Sequence, residues 1–192
     1  MITYNKFSYI VYVEYILSSP STATVKPEQK LLTQWNRYGN SAIGRRLFSW
    51  KVSRAAPYSG SIKAQIVSLK AGSALVSIQD RRSIRNHLNS IHAIALTNLG
   101  ELASGLAMLA ALPMNIRAIV VKLEIEYIKK ARGKLIAEGS ASPPKSITEP
   151  FVSLAIATIK DNSGDTVALV SVSWLLSPKE VRDIKKQEAQ SK

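Results

Sequence analysis

The sequence predicts an α+β domain in which one antiparallel sheet wraps around a single long helix. Three observations point there. Residues 93–112, AIALTNLGELASGLAMLAAL, form an apolar stretch with helical spacing that Pro113 stops. Runs with period-two alternation lie on both sides of it, best seen where Val121, Leu123, Ile125 and Tyr127 alternate with Lys122, Glu124 and Glu126. The order is strand, strand, helix, then four strands joined by short turns, which favours antiparallel pairing. A helix so apolar must be enclosed, and one sheet against one helix is a two-layer arrangement.

The elements follow in order. Residues 26–56 read as helical, with Trp35, Leu47, Phe48 and Trp50 at helical spacing, and Pro57 and Gly60 are expected to break the chain. Residues 62–71 give a first strand, in which Ile62, Ala64 and Ile66 alternate with Lys63 and Gln65, and residues 75–79 a second. A polar loop at 80–90 leads into the long helix, read as residues 91–112. Strands are then expected at 121–127, 135–139, 151–159 and 167–176, with a turn at Asp161-Asn162-Ser163-Gly164 between the last two. The division is residues 1–56 as an N-terminal helical extension, 57–177 as the domain, and 178–192 as a charged tail.

Composition narrows the chemistry. The 192 residues contain no cysteine and two histidines, His87 and His92, which excludes disulfides, thiolate metal sites, cysteine nucleophiles and three-histidine centres. Lys and Arg outnumber Asp and Glu by 26 to 13, a net charge of +13, so the field favours anionic partners. The surplus lies before residue 141, and its densest cluster is Arg81, Arg82 and Arg85. Arginine forks suit phosphate oxygens. No motif combining stacking aromatics with basic residues accompanies the charge, so no nucleic-acid partner is expected. Two segments are long or apolar enough to raise a membrane. In 93–112, Glu101 would cost several kcal/mol at mid-bilayer, so that segment reads as a buried helix. In 7–17, FSYIVYVEYIL, Glu14 interrupts the run and no clean cleavage site follows, so membrane contact there is the lesser reading. The expected location is cytoplasmic.

On the long helix, Glu101 shares a face with Ile94, Thr97, Asn98, Ser104, Gly105 and Met108, opposite a stripe of Leu96, Leu99, Leu102, Ala103, Leu106 and Ala110. A carboxylate in such a strip needs partners or a shifted pKa, and perturbed acids cluster at functional sites.

The loop and helix start, Asn86-His87-Leu88-Asn89-Ser90-Ile91-His92, followed by Ala93 to Glu101, resemble hotdog-fold acyl-CoA thioesterases of the type found in phenylacetate pathways. There an asparagine lies six positions before a His-Gly-Gly turn and the acidic residue nine after its histidine; here Asn86 is six before His92 and Glu101 nine after it. The element order over residues 57–177 is also the hotdog order. APYSGSI, IRNHLNSIHAIAL, LGELASG and YIKKARG look like a little-characterised branch of that superfamily.

The resemblance implies hydrolysis of acyl-CoA thioesters, with coenzyme A as part of the substrate and no separate cofactor. Glu101 would be general base or nucleophile, and Asn86 would orient the water or the carbonyl. The amides of His92 and Ala93 would hold the thioester oxygen, with Thr97 and Ser104 near Glu101. Arg81, Arg82 and Arg85 would meet the phosphates of coenzyme A. The resemblance also implies a homodimer or dimer of dimers, joined along the strand at 119–127, with sites between subunits. One departure stands out: the two glycines after the histidine are Ala93 and Ile94 here, which alters the room at the turn. A non-catalytic acyl-CoA or lipid binder on the same fold is the alternative. A dehydratase is disfavoured, because Ile91-His92-Ala93-Ile94 lacks the Pro- and Gly-rich segment of those enzymes.

Overall fold

The structure, a computed structural model, describes residues 30–179. The apolar run at 7–17 and the tail beyond residue 179 lie outside the described residues.

Among the described residues three helices come first: α1 (Lys30–Tyr38), α2 (Ala42–Ala55) and α3 (Pro57–Gly60). Ser41 caps α2, its Oγ accepting from the Gly44 N–H at 2.9 Å. Pro57 and Gly60 do not simply break the chain. Proline is pre-set for the first position of a helix, and the Gly60 N–H reaches the Ala56 carbonyl at 2.8 Å, so the segment closes as a single turn, α3. The helical extension is docked on the domain rather than trailing from it. Trp35 meets Phe48 edge-on at 5.3 Å, Phe48 and Val52 are buried in the main core, and Ser49 Oγ accepts from the Ile66 N–H at 2.9 Å.

The sheet comprises β1 (Gln65–Lys70), β2 (Ser73–Ile78), β3 (Ile116–Tyr127), β4 (Leu135–Ala141), β5 (Phe151–Lys160) and β6 (Thr166–Pro178). Its spatial order is β1-β2-β4-β5-β6-β3, antiparallel at every step. The strands alternate as expected. On β5, Ser153, Ala155, Ala157 and Ile159 are buried while Val152, Leu154 and Ile156 are exposed on the outer face.

The long helix, α4 (Ala93–Ala111), lies in the hollow of this sheet. By length and composition it alone among the described helices would pass for a membrane span, yet most of it is buried inside the fold. It is enclosed more completely than the sequence pattern implies. Asn98, Ser104, Gly105 and Met108, expected on the polar strip with Glu101, are buried too. The reason is how closely the helix sits on the sheet: a Cβ on Gly139 of β4 would overlap the Ala103 backbone, and one on Gly100 would overlap Val170 of β6. What stays open on this face near the helix start is Ile94, Thr97 and Glu101.

β3 begins five residues earlier than the alternation at 121–127 suggests, at Ile116. Its pairing with β6 skips a residue between Val120 and Lys122, so Val121 forms a bulge. Ala118 and Val120 face the core before it, and Leu123 and Ile125 after it.

Candidate active site

The site is built at the N-terminal end of α4, where two loops meet. Residues 80–92 arrive from β2 and residues 128–134 leave β3. The Ile91 N–H donates to the Ala131 carbonyl at 2.8 Å, the Gly133 N–H to Asp80 Oδ2 at 3.0 Å, and Arg132 Nε to the Asn89 carbonyl at 3.2 Å. Asn86 holds the first loop in shape. Its Oδ1 accepts from the Leu88 N–H at 2.9 Å, the Ser90 N–H at 3.2 Å and Ser90 Oγ at 3.1 Å, a side-chain-closed turn. The carbonyl end of Asn86 therefore serves the loop, and only its Nδ2 end is left to face a ligand.

His92 is the N-cap of α4, its Nδ1 accepting from the Ile94 N–H at 3.1 Å. Accepting through Nδ1 places the neutral ring's proton on Nε2. The His92 N–H itself donates to the Ile84 carbonyl at 2.8 Å. Of the two amides expected to grip an oxyanion, His92's is thus engaged in holding the loop, and Ala93's is the one on the first turn that bonds nothing among the described residues. That amide lies on the positive end of the helix dipole.

Glu101 is half-buried, two turns further along. Two tyrosines that sequence reasoning did not single out are bonded to the same helix on its N-terminal side of Glu101. Tyr127, the last residue of β3, brings its Oη 3.0 Å from Thr97 Oγ1 and donates to the Ala93 carbonyl at 3.3 Å. Asn98 Nδ2 donates to the Tyr58 carbonyl of α3 at 3.3 Å. Tyr127 is visible in the sequence as the end of the period-two run, but its reach to α4 depends on the sheet's curvature. Thr97 and Ser104 satisfy their hydroxyls on the helix itself, at the Ala93 carbonyl (3.1 Å) and the Gly100 carbonyl (2.9 Å), as buried or half-buried hydroxyls in helices do.

The three arginines divide. Arg81 donates to the Ser61 carbonyl at 2.8 Å and to Ser83 Oγ at 2.9 Å, tying the loop to the end of α3. Arg85 pairs with Asp80 at 2.7 Å. Arg82 is exposed, and its guanidinium bonds nothing among the described residues. Arg82, with Arg85 and Arg132, leaves this end of the domain cationic. Among the described residues no group of three or more His, Cys, Asp or Glu is placed to hold a metal ion.

Asp80 is the electrostatic joint of the two loops. The hydrogen bond from Arg85 holds its carboxyl below the usual aspartate range, burial opposes this, and the Gly133 N–H reinforces it. A pKa depressed on folding gives stability that is present above the unfolded value, near pH ~4, and is lost as pH falls through the folded value. Resistance to urea is therefore expected to weaken as pH drops below about 4, with Asp80→Asn about 1 kcal/mol less stable at neutral pH and less sensitive to that drop. An unchanged acid profile in the variant would dismiss Asp80 as the joint.

Known proteins can be set beside this geometry. No curated protein matches the chain. Many solved structures do. A structural-genomics protein, APC5556, superposes with a TM-score of 0.66 at 29% identity, over 76% of this chain and 97% of its own. A thioesterase from Staphylococcus aureus subsp. aureus Mu50, solved as a point mutant, gives 0.57 at 14% identity, over 64% of this chain and 100% of its own. A probable thioesterase from Pseudomonas aeruginosa, described as of unknown function, gives 0.60 at 16%, over 72% and 96%. The chain has the hotdog fold that the sequence resemblance implied. The sequence profile of a family described as "Domain of unknown function (DUF4442)" matches residues 44–176.

Proposed function

We propose that this chain, which belongs to the DUF4442 family, hydrolyses acyl-CoA thioesters to free acid and coenzyme A in sites shared between two copies. One observation carries the reading: the helix enclosed by the sheet offers at its start an amide with no bond among the described residues, and a half-buried carboxylate on its open strip. The likeness to thioesterase structures supports the fold on which such sites are built.

The spacing argues for two copies. Eight residues of helix separate Ala93 from Glu101, about 12 Å along the axis at 1.5 Å per residue. One carboxylate cannot reach a carbonyl held at its own chain's Ala93. A second copy related by a two-fold axis can bring its Glu101 to the first copy's Ala93. β3 has its outer edge unpaired among the described residues, twelve residues long, and strands of that length are normally covered. Pairing β3 with β3 would join two sheets and turn the strips around Glu101 toward each other. A homodimer, or a dimer of dimers, is the assembly proposed.

In the reaction, the Ala93 N–H donates to the thioester oxygen as it takes negative charge. The Glu101 carboxylate takes the proton of the attacking water, or attacks the carbonyl itself and is released by water in a second step. The C–S bond breaks, and the coenzyme A thiolate leaves and is protonated. His92 holds the turn, Asn86 shapes the loop behind it, and Arg82 with its neighbours Arg85 and Arg81 lies where the coenzyme phosphates would pass. The protein acts in the cytoplasm, where acyl-CoA is met.

Ala93→Pro tests this directly. His92 has φ −63° and ψ 141°, the backbone that precedes proline comfortably, and proline suits the first helical position. The substitution deletes one N–H and little else. It is expected to lower kcat for thiol release from acyl-CoA about a hundredfold with KM little changed, while Ala93→Gly retains activity. Undiminished turnover in Ala93→Pro would refute the oxyanion assignment. A second reading, an acyl-CoA binder without turnover, draws on Ile94, which is 52% exposed at the turn where the thioesterases resembled carry glycine. Saturable acyl-CoA binding with no thiol released would establish it.

A further inference from the structure

The outer face of α2 combines three properties that neither the fold nor the proposed reaction uses. Residues 30–79 contain eight Lys and Arg and no Asp or Glu. Within them α2 is apolar on two opposite sides. Gly44, Phe48, Ser49 and Val52 point inward and are buried. Ile43, Leu47 and Trp50 point outward and are 80%, 41% and 55% exposed. At 100° per residue these three and Arg54 fall within an arc of about 60°, with Arg46 beside it. Beside this stripe an open groove of about 560 Å³ runs toward β1, lined by Arg46, Trp50, Arg54 and Lys63. The Arg54 guanidinium lies over the Trp50 ring at 5.2 Å. Lys51 and Arg45, by contrast, are turned to Tyr38 Oη and the Gly39 carbonyl.

Scattered exposed apolar residues need no explanation, but a helix stripe of aliphatics and an indole set among cations, in a stretch of sequence from 30 to 79 without an acid, is the composition of helices that lie in a lipid interface. A nucleic acid or a soluble phosphate would engage the cations and leave Ile43 and Leu47 in water. A bilayer surface uses both: the apolar side chains enter the headgroup boundary, the indole sits at that depth, and the cations meet phosphates. We propose that α2 docks the protein on anionic lipid bilayers, with Ile43, Leu47 and Trp50 entering the headgroup layer and Arg46, Arg54 and Lys63 on the lipid phosphates. The proposal does not rest on thioester hydrolysis.

The chain supplies its own reporter. Of its three tryptophans, Trp35 and Trp174 are buried at 8% and 0% exposure, so emission that responds to a surface event is that of Trp50. Full-length protein is mixed with vesicles of phosphatidylcholine containing phosphatidylglycerol, with phosphatidylcholine alone, and with pyrophosphate. Expected are co-sedimentation with the anionic vesicles only, a blue shift of emission that Trp50→Phe abolishes, and weakening with added salt. Arg46→Glu with Arg54→Glu, and separately Ile43→Ser with Leu47→Ser, should each lower the partition coefficient about tenfold or more without changing thermal unfolding. Both pairs leave residues 1–29 untouched. Binding that survives both pairs would place the contact elsewhere in the chain and overturn the proposal. So would equal binding to neutral vesicles, a Trp50 response to pyrophosphate without vesicle binding, or no vesicle binding at all.

Discussion

Replacing Glu101 by glutamine is expected to lower kcat for acyl-CoA hydrolysis about a thousandfold, with KM nearly unchanged. Glutamine keeps the length and the planar end of the side chain, so a half-buried position on α4 accommodates it. It loses only the capacity to take a proton or to form an acyl bond. A group acting in the transition state alone shows in kcat; a group that merely held substrate would show in KM. Glu101→Asp, which keeps the carboxylate one methylene back, should recover part of the loss. The proposed two-copy arrangement adds a sharper readout. Glu101→Gln and Ala93→Pro subunits are each nearly inactive alone. Mixed and allowed to exchange, they should form dimers with one intact site, recovering about a quarter of the wild-type sites in a random mixture. No recovery, with exchange demonstrated, would put carboxylate and amide in the same chain and contradict the helix geometry.

The second large effect is on folding. Gly139 of β4 pairs with Ala74 of β2 and Ala157 of β5, so three strands present a floor of very small residues under α4. A Cβ at 139 would meet the Ala103 carbonyl and the Ser104 nitrogen, which are helix backbone and cannot rotate away. The helix would have to lift off the sheet, opening contacts along Leu99, Leu106 and Met108, all buried. Gly139→Ala is expected to cost about 3 kcal/mol in urea unfolding and to lower Tm by about 10 °C. Gly139→Val should leave little soluble folded protein. A change under about 1 kcal/mol in the alanine variant would mean the helix is not held as closely as this floor implies.

Much of the architecture is legible in the sequence because it follows from periodicity and punctuation. An apolar helix stopped by Pro113 and period-two strands split by turns determine the layers and the element order. Where tertiary enclosure decides, the pattern is silent. Ser104 and Met108 share Glu101's side of the helix but are fully buried, because the depth of the helix in the sheet is set by Gly139, which lies far along the chain in another element. The chemistry is legible by residue type and not by availability. Arg81, Arg82 and Arg85 look equivalent in the chain, yet the Ser61 carbonyl beside α3 engages the first and Asp80 the third. His92 and Ala93 look equally placed to donate, yet a neighbouring loop carbonyl already takes the first. α3 is hidden because Pro-x-x-Gly reads as an interruption, and its docking against α4 through Asn98 is a tertiary contact that no local pattern announces.

The bulge at Val121 bears on how the edge strand β3 can be read at all. Inward positions are even-numbered before it and odd-numbered after it. A reading frame of alternate residues carried straight through from Ile116 would assign Lys122, Glu124 and Glu126 to the core and turn Tyr127 away from the start of α4. The phase must change at one residue. Any alignment of this strand with a relative lacking that extra residue matches interior to interior only if a gap is opened there, and the tyrosine beside the start of α4 is in register with its counterpart only on the far side of that gap.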